Sequence, residues 1–74
     1  MYKIKEENNI ELKNLKTKYY QDKTGLSLSY LSSILNGNRS CIETNARAIL
    51  SVRFNISFTD EKMQELLEKY FEEE

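Results

Sequence analysis

The sequence predicts an all-α fold, a compact bundle of about five short helices. Its 74 residues contain no proline and only two glycines, a composition that suits helices joined by short connections. Apolar residues recur at helical spacing in several segments. This length corresponds to one domain, residues 1–74, near the lower limit at which an apolar core stabilises a fold without disulfides or metals.

The N-terminal third is expected to form one or two helices. Residues 1–7 carry no strong pattern; Tyr2 and Ile4 either pack as an arm or begin the first helix early. A helix is predicted to start near Asn9, with Asn8 and Glu11 as a capping pair. The apolar stripe of this region comprises Ile10, Leu12, Leu15 and Tyr19.

A break within residues 13–23 is not marked by glycine or proline. Thr17 can cap a separate second helix that runs to Thr24, or one longer helix can continue through Tyr20. We favour two helices with a tight join.

The stretch TGLSLSYLSSILNGNR, residues 24–39, predicts a turn, a short helix and a helix stop. Gly25 supplies the permissive backbone of a tight turn, and Ser27 is a good N-cap. Gly37 suits the left-handed position that follows a helix ending near Asn36. The predicted helix, residues 28–35, is too short to be stable alone, so it must pack through one apolar face. That face comprises Leu31, Ile34 and Leu35.

Two further helices are predicted after this stretch. Ser40 and Glu43 fit a capping box before a fourth helix whose apolar positions are Ile42, Ala46, Ile49 and Leu50. We expect Cys41 to be a small, partly buried residue at its first turn. The last segment, residues 58–74, is predicted to pack on the domain as an amphipathic helix with Thr59 as its N-cap. Its apolar stripe comprises Met63, Leu66, Leu67, Tyr70 and Phe71.

The pattern TGLSxSYLSxILNGxR resembles the turn and recognition helix of the phage lambda repressor and Cro type of helix-turn-helix protein, also called Xre-like. The resemblance covers residues 20–49. It implies a helix-turn-helix within the bundle and a small phage or prophage transcriptional regulator that docks helix 28–35 in the major groove of operator DNA. An unrelated helical bundle with a serine-rich helix is the alternative.

The resemblance also implies the residues of a DNA site. Base edges would be faced by Leu28, Ser29, Ser32 and Ser33, and phosphates would be held by Ser27, Asn36, Asn38 and Arg39. Lys16, Lys18 and Lys23 would add attraction that salt weakens. The full set of predicted nucleic-acid-binding residues is Thr17, Lys18, Ser27, Leu28, Ser29, Tyr30, Ser32, Ser33, Asn36, Asn38 and Arg39.

Several residues depart from the family pattern. Where the family often has glutamines that bind adenine, this chain has Thr17 and Leu28, and Gln21 replaces a small alanine packed against the turn. The formal net charge is −1 and the isoelectric point about 5.5, unlike most nucleic-acid binders. The net charge is positive in residues 1–53, with nine Lys/Arg and five Asp/Glu, and negative in residues 54–74, with two Lys and seven Asp/Glu. The acidic segment is either turned away from phosphate or simply a solvated helix.

These departures leave a second function open, an antirepressor or modulator that binds a phage repressor and blocks its DNA binding. Leu28 and Tyr30 would then contact protein instead of DNA. A homodimer through the apolar stripe of the last helix is a further possibility.

Other function classes lack the residues they need. The chain has no histidine and one cysteine, and no nucleophile with a base or phosphate-binding glycine loop is present. We therefore expect no enzyme activity, no cofactor, no metal and no small-molecule substrate. No apolar run is long enough for a membrane span or a signal peptide, and we expect a soluble protein of the host cytoplasm.

Overall fold

The computed structural model describes residues 1–74 as five helices and one two-stranded sheet. The strands are β1 (Tyr2–Ile4) and β2 (Phe71–Glu73), and a 3₁₀ turn spans Glu6–Asn8. The helices are α1 (Asn9–Lys13), α2 (Thr17–Thr24), α3 (Leu28–Leu35), α4 (Glu43–Phe54) and α5 (Lys62–Tyr70). The prediction of a compact, mostly helical domain with five helices is confirmed. The expectation of an all-α fold is wrong, because the two ends of the chain form a sheet.

The sheet joins the N-terminal segment to the C-terminal one. β1 and β2 are antiparallel, with Ile4 opposite Phe71, and both side chains are buried. On its other edge, Tyr2 exchanges two backbone hydrogen bonds with Cys41, of 2.7 and 2.8 Å. The N-terminal segment therefore packs on the domain as a strand and does not begin the first helix. Strands of three residues are too short to produce a recognisable alternation in the sequence.

The core is formed by fourteen buried residues, none of them charged. The only hydroxyl groups among them belong to Tyr20 and Tyr70. The Tyr20 hydroxyl donates to the Leu12 carbonyl at 2.5 Å, and the Tyr70 hydroxyl donates to the Glu11 carboxylate. Each buried hydroxyl therefore has a partner, as burial of a polar group requires. The buried residues are Ile4, Leu12, Tyr20, Leu31, Ile34, Leu35, Cys41, Ala46, Ile49, Leu50, Met63, Leu67, Tyr70 and Phe71.

The first two helices are separate, as we favoured. The prediction that α1 begins at Asn9 is confirmed, and three residues join α1 to α2. Because the chain changes direction there, the apolar stripe predicted across both helices is not continuous. Leu12 is buried, but Ile10 is 69% exposed and Tyr19 is 45% exposed.

Asn8 occupies the predicted N-cap position of α1, but the N-caps predicted for α2, α4 and α5 are wrong. Asn8 makes no capping bond; its side-chain amide donates to the Lys69 carbonyl instead. Thr17 is the first residue of α2, after a Lys16 N-cap. α4 follows Ile42 and α5 follows Glu61, so neither Ser40 nor Thr59 caps a helix.

The error at Ser40 has a visible physical reason. The Ser40 hydroxyl donates to the Glu74 carboxylate at the end of the chain, a partner that only the closed sheet brings near.

Ile42, predicted to be in the core, is the N-cap of α4 and 52% exposed. Cys41, predicted to be partly buried at the first helical turn, is fully buried and lies before the helix.

The last helix packs on the domain through its apolar stripe. Met63, Leu67, Tyr70 and Phe71 are buried within the protein's own core, and Leu66 is partly buried. The side chains considered for a dimer contact are therefore largely taken up by internal packing. No helix in the protein is long and apolar enough to cross a lipid bilayer.

Candidate nucleic-acid interface

Helix α3 has one buried face and one open face. Leu31, Ile34 and Leu35 point into the core, as predicted. On the other side Ser29 and Ser32 are exposed. Because the buried side chains fix the helix on the domain, the open side is presented to solvent in one orientation.

Both ends of α3 have the caps that the sequence predicted. The Ser27 hydroxyl accepts a hydrogen bond from the Tyr30 amide at 3.1 Å. At the C-terminus, Gly37 has a φ of 78°. Its amide donates to the Ile34 carbonyl at 3.0 Å, and the Asn38 amide donates to the Ser33 carbonyl at 2.9 Å. This pair of bonds is a Schellman motif, which satisfies the last carbonyls of the helix.

The connection between α2 and α3 is held by local bonds. Gly25 has a φ of 77°, and its amide donates to the Gln21 carbonyl at 2.8 Å. The Thr24 hydroxyl accepts from the Leu26 amide at 3.2 Å, and Leu26 packs against the core. These contacts fix the start of α3 relative to the end of α2. Gln21, which departs from the family pattern, is half-buried here.

Tyr30 is joined to residues outside its own helix. Its hydroxyl accepts a hydrogen bond from the Asn45 side-chain amide, on α4, at 2.9 Å. The guanidinium carbon of Arg39 lies over its ring, 4.8 Å from the centroid. Arg39 is exposed in the segment that follows α3, so this contact brings a cation beside the open face of the helix.

Positive charge accumulates around these elements. Residues 13–42 contain five lysine or arginine residues and a single acidic one, Asp22. The protein has one ion pair, between Arg47 and Glu43 at 2.7 Å, so none of the five cations is paired with a carboxylate. They are exposed side chains, free to attract an anionic ligand. The five are Lys13, Lys16, Lys18, Lys23 and Arg39.

The eleven predicted site residues fall on α2, α3 and the segment after α3. Leu28 is 43% exposed at the start of α3, and Thr17 is half-buried at the start of α2. Ser32 and Asn36 are bonded to each other at 3.2 Å. The half-buried members are Thr17, Tyr30 and Ser33, and the exposed ones are Lys18, Ser27, Leu28, Ser29, Ser32, Asn36, Asn38 and Arg39.

Asn45 contacts one of the predicted site residues, Tyr30, although the sequence did not indicate this contact. It lies fifteen residues from Tyr30 in a different helix. No spacing rule links two such positions, because the contact depends on how α4 packs beside α3. An asparagine in the first turn of a helix, as here, carries no signal of its own.

The thiol of Cys41 and the polar groups around α3 differ in their exposure to solvent. Burial raises the pKa of the Cys41 thiol to about 11, so the protein's one thiol is neutral and enclosed. No group of three or more histidine, cysteine, aspartate or glutamate side chains is arranged to hold a metal ion. The solvent-exposed groups around α3 are hydroxyls, amides and cations. The hydroxyls and amides can donate hydrogen bonds to an anion, and the cations attract it by charge.

No protein-family model, no curated protein and no solved structure matches this chain.

Proposed function

We propose that this protein is a small transcriptional regulator of the phage lambda repressor and Cro type, in which α2 and α3 form a helix-turn-helix and α3 enters the major groove of operator DNA. The observation that carries the proposal is the open face of α3, where small hydroxyl side chains lie beside unpaired cations. Small side chains permit close approach to base edges, and cations attract phosphate.

The residues have distinct roles in this proposal. Ser29, Ser32 and the half-buried Ser33 offer donors and acceptors to bases, and Leu28 offers an apolar contact to a thymine methyl group. Arg39 and Asn38 hold phosphate at the C-terminal end of α3, while the first amides of the helix, which have no intrahelical partner, do so at the other end. Lys16, Lys18 and Lys23 supply attraction without sequence preference. This division predicts modest specificity and strong salt dependence.

A selection from a random pool of duplex oligonucleotides, followed by anisotropy titrations at low and moderate salt, tests the proposal. We expect the protein to enrich one sequence and to bind it more weakly as salt rises. The variant Ser29→Glu places a carboxylate on the open face and should weaken binding by at least about tenfold through repulsion of phosphate.

Thr59→Glu is the matched control, because it adds the same charge at an exposed position before α5. It should leave the affinity within about twofold of the wild type. Failure of the wild type to enrich any sequence, or equal losses in both variants, would overturn the proposal.

A repressor-binding antirepressor is the second candidate, and the uncharged α3 with its exposed Leu28 favours it. Tyr30 argues against it, because its hydroxyl and one ring face are already engaged by Asn45 and Arg39. Among the apolar residues of α3, only Leu28 is then exposed for a contact with another protein. In the same assay an antirepressor would not bind DNA alone and would release a repressor from its operator, and Leu28→Glu would abolish that release.

A further inference from the structure

Arg39 lies over the ring of Tyr30, and this ring is supported from a second helix. Lys23 also lies over an aromatic ring, that of Tyr19, at 5.7 Å. That ring is 45% exposed and has no hydrogen bond to its hydroxyl. Tyr30, in contrast, is half-buried, packs against the core and is held at its hydroxyl by Asn45.

This support fixes the ring at both ends. The backbone of Tyr30 belongs to the first turn of α3, where its amide is bonded to Ser27. The far end of its side chain is tied to α4 through the 2.9 Å bond from Asn45. A ring held in this way offers a fixed surface for the guanidinium group, which is attracted by the negative charge of the ring face.

Contact with the Tyr30 ring orders the Arg39 side chain, and the side chain keeps its positive charge and its hydrogen-bond donors. An exposed arginine ordinarily samples many rotamers, which a ligand must restrict on binding. Contact over the ring restricts them beforehand, while the N–H donors, which lie in the guanidinium plane, remain available. No carboxylate pairs with Arg39; that of the nearby Glu74 accepts from the Ser40 hydroxyl. The rotamers of Arg39 are therefore restricted, and no carboxylate forms an ion pair with its guanidinium group.

We propose that Tyr30 and Asn45 are positioning residues that hold Arg39 as a preformed clamp for one phosphodiester group of DNA beside α3. This inference rests on the proposed function, since it presumes a DNA ligand. It changes the role of Tyr30, which acts through Arg39 and contacts neither bases nor a partner protein. It also brings Asn45 of α4 into the interface, although Asn45 itself does not touch DNA.

A double-mutant cycle on the selected oligonucleotide separates positioning from a merely structural role. Arg39→Ala should weaken binding about tenfold and lower the slope of log affinity against log salt by about 1. Tyr30→Leu, which keeps an apolar side chain but removes the ring, should weaken binding several-fold in the wild type. It should have no further effect in the Arg39→Ala background, because the group it positions is gone.

Conservative variants test the hydrogen bond from Asn45 to the Tyr30 hydroxyl. Tyr30→Phe keeps the ring and loses the hydroxyl, and Asn45→Ala removes the donor, so each should give a loss smaller than that of Tyr30→Leu. In the free protein, the side-chain protons of Arg39 should show ring-current shifts in NMR spectra of the wild type and of Tyr30→Phe, but not of Tyr30→Leu. Thermal unfolding of each variant confirms that it is folded.

The outcomes distinguish this inference from the proposed function. DNA binding by the wild type together with equal losses for Tyr30→Leu in both backgrounds would overturn the clamp and leave the function standing. Absence of the ring-current shift in the wild type would also overturn it. A wild type that binds no DNA would overturn the proposed function, and the clamp with it.

Discussion

At the scale of single residues, Cys41 shows how burial controls chemistry in this protein. Its side chain is fully buried, and its amide and carbonyl are both bonded to Tyr2. Burial disfavours the thiolate, which raises the pKa of Cys41 from 9.0 to about 11. Since only the thiolate is nucleophilic, the group should be unreactive while the strand contact persists.

Thiol labelling with a disulfide reagent at pH 8 measures this protection. A pKa higher by two pH units reduces the thiolate fraction about a hundredfold, and enclosure slows access further. We expect labelling of the native protein to be at least about a hundredfold slower than labelling in urea. Rates within tenfold of each other would show that Cys41 is open in the native state.

At the scale of elements, the left-handed residues decide where helices end. Gly25 has a φ of 77°, and a Cβ added there would meet no atom within 4 Å. Gly37 has a φ of 78°, and an added Cβ would meet Ile4 and Glu6 only at ordinary contact distances of 3.7 Å or more. At both sites the penalty for a side chain thus comes from the backbone conformation itself.

Gly25→Ala and Gly37→Ala should therefore each destabilise the fold by about 1–2 kcal/mol, as measured by urea unfolding. Asp22→Ala, on an exposed position of α2, is the control and should stay within about 0.5 kcal/mol of the wild type. A loss at Gly25 no larger than that of the control would mean that the turn can adopt another backbone conformation.

The side chains predicted to cap helices bond either to a nearby backbone amide or to a group far away in the sequence. Ser27 caps α3 because the amide it needs lies three residues away in the same segment. The similar pair Ser40 and Glu43 does not form a capping box. Ser40 bonds Glu74, and Glu43 accepts from Tyr2 and Arg47. Those partners are 34, 41 and 4 residues away in sequence, so two of the three were invisible to a local pattern.

At the scale of the whole molecule, one polar network ties the chain ends to the helices. Glu43, on α4, accepts hydrogen bonds from the Tyr2 hydroxyl of β1 and from Arg47. Arg47 also donates to the Phe58 carbonyl and to Gln64 of α5. The hydrogen bond from Arg47 and then that from Tyr2 lower the pKa of the Glu43 carboxyl below its ordinary 4.5. The hydrogen bond between the Tyr2 hydroxyl and the Glu43 carboxylate raises the pKa of Tyr2.

This network predicts a pH dependence of stability. Because the Glu43 pKa is lower in the folded than in the unfolded protein, its contribution is present above the unfolded value of about 4.5 and is lost as pH falls through the folded pKa. Urea unfolding at pH 7 and at pH 3 should show a decrease in the free energy of unfolding. Glu43→Gln should be less stable than the wild type at pH 7 and should lose less on acidification.

An equal loss in both proteins would assign the acid sensitivity to other carboxylates. Glu65→Gln, an exposed position of α5 with no side-chain hydrogen bond or ion pair, is the control. It should have the pH dependence of the wild type.

The sequence by itself determined the five-helix content, the bounds of α3 and the glycine turns on either side of α3. These features depend on residues within one or two helical turns of each other, where spacing and capping rules apply. The open face of α3 was predictable for the same reason, since the buried positions of a short amphipathic helix define the exposed ones.

Only the tertiary structure decided the sheet that closes the chain ends, the exposure of Ile10 and Ile42, and the joining of Tyr30, Asn45 and Arg39. The sheet pairs Ile4 with Phe71 at the two ends of the sequence, and β1 is bonded on its other edge to Cys41. Asn45 meets Tyr30 only because α4 lies beside α3. Such contacts arise from the packing of whole elements, which no local pattern encodes.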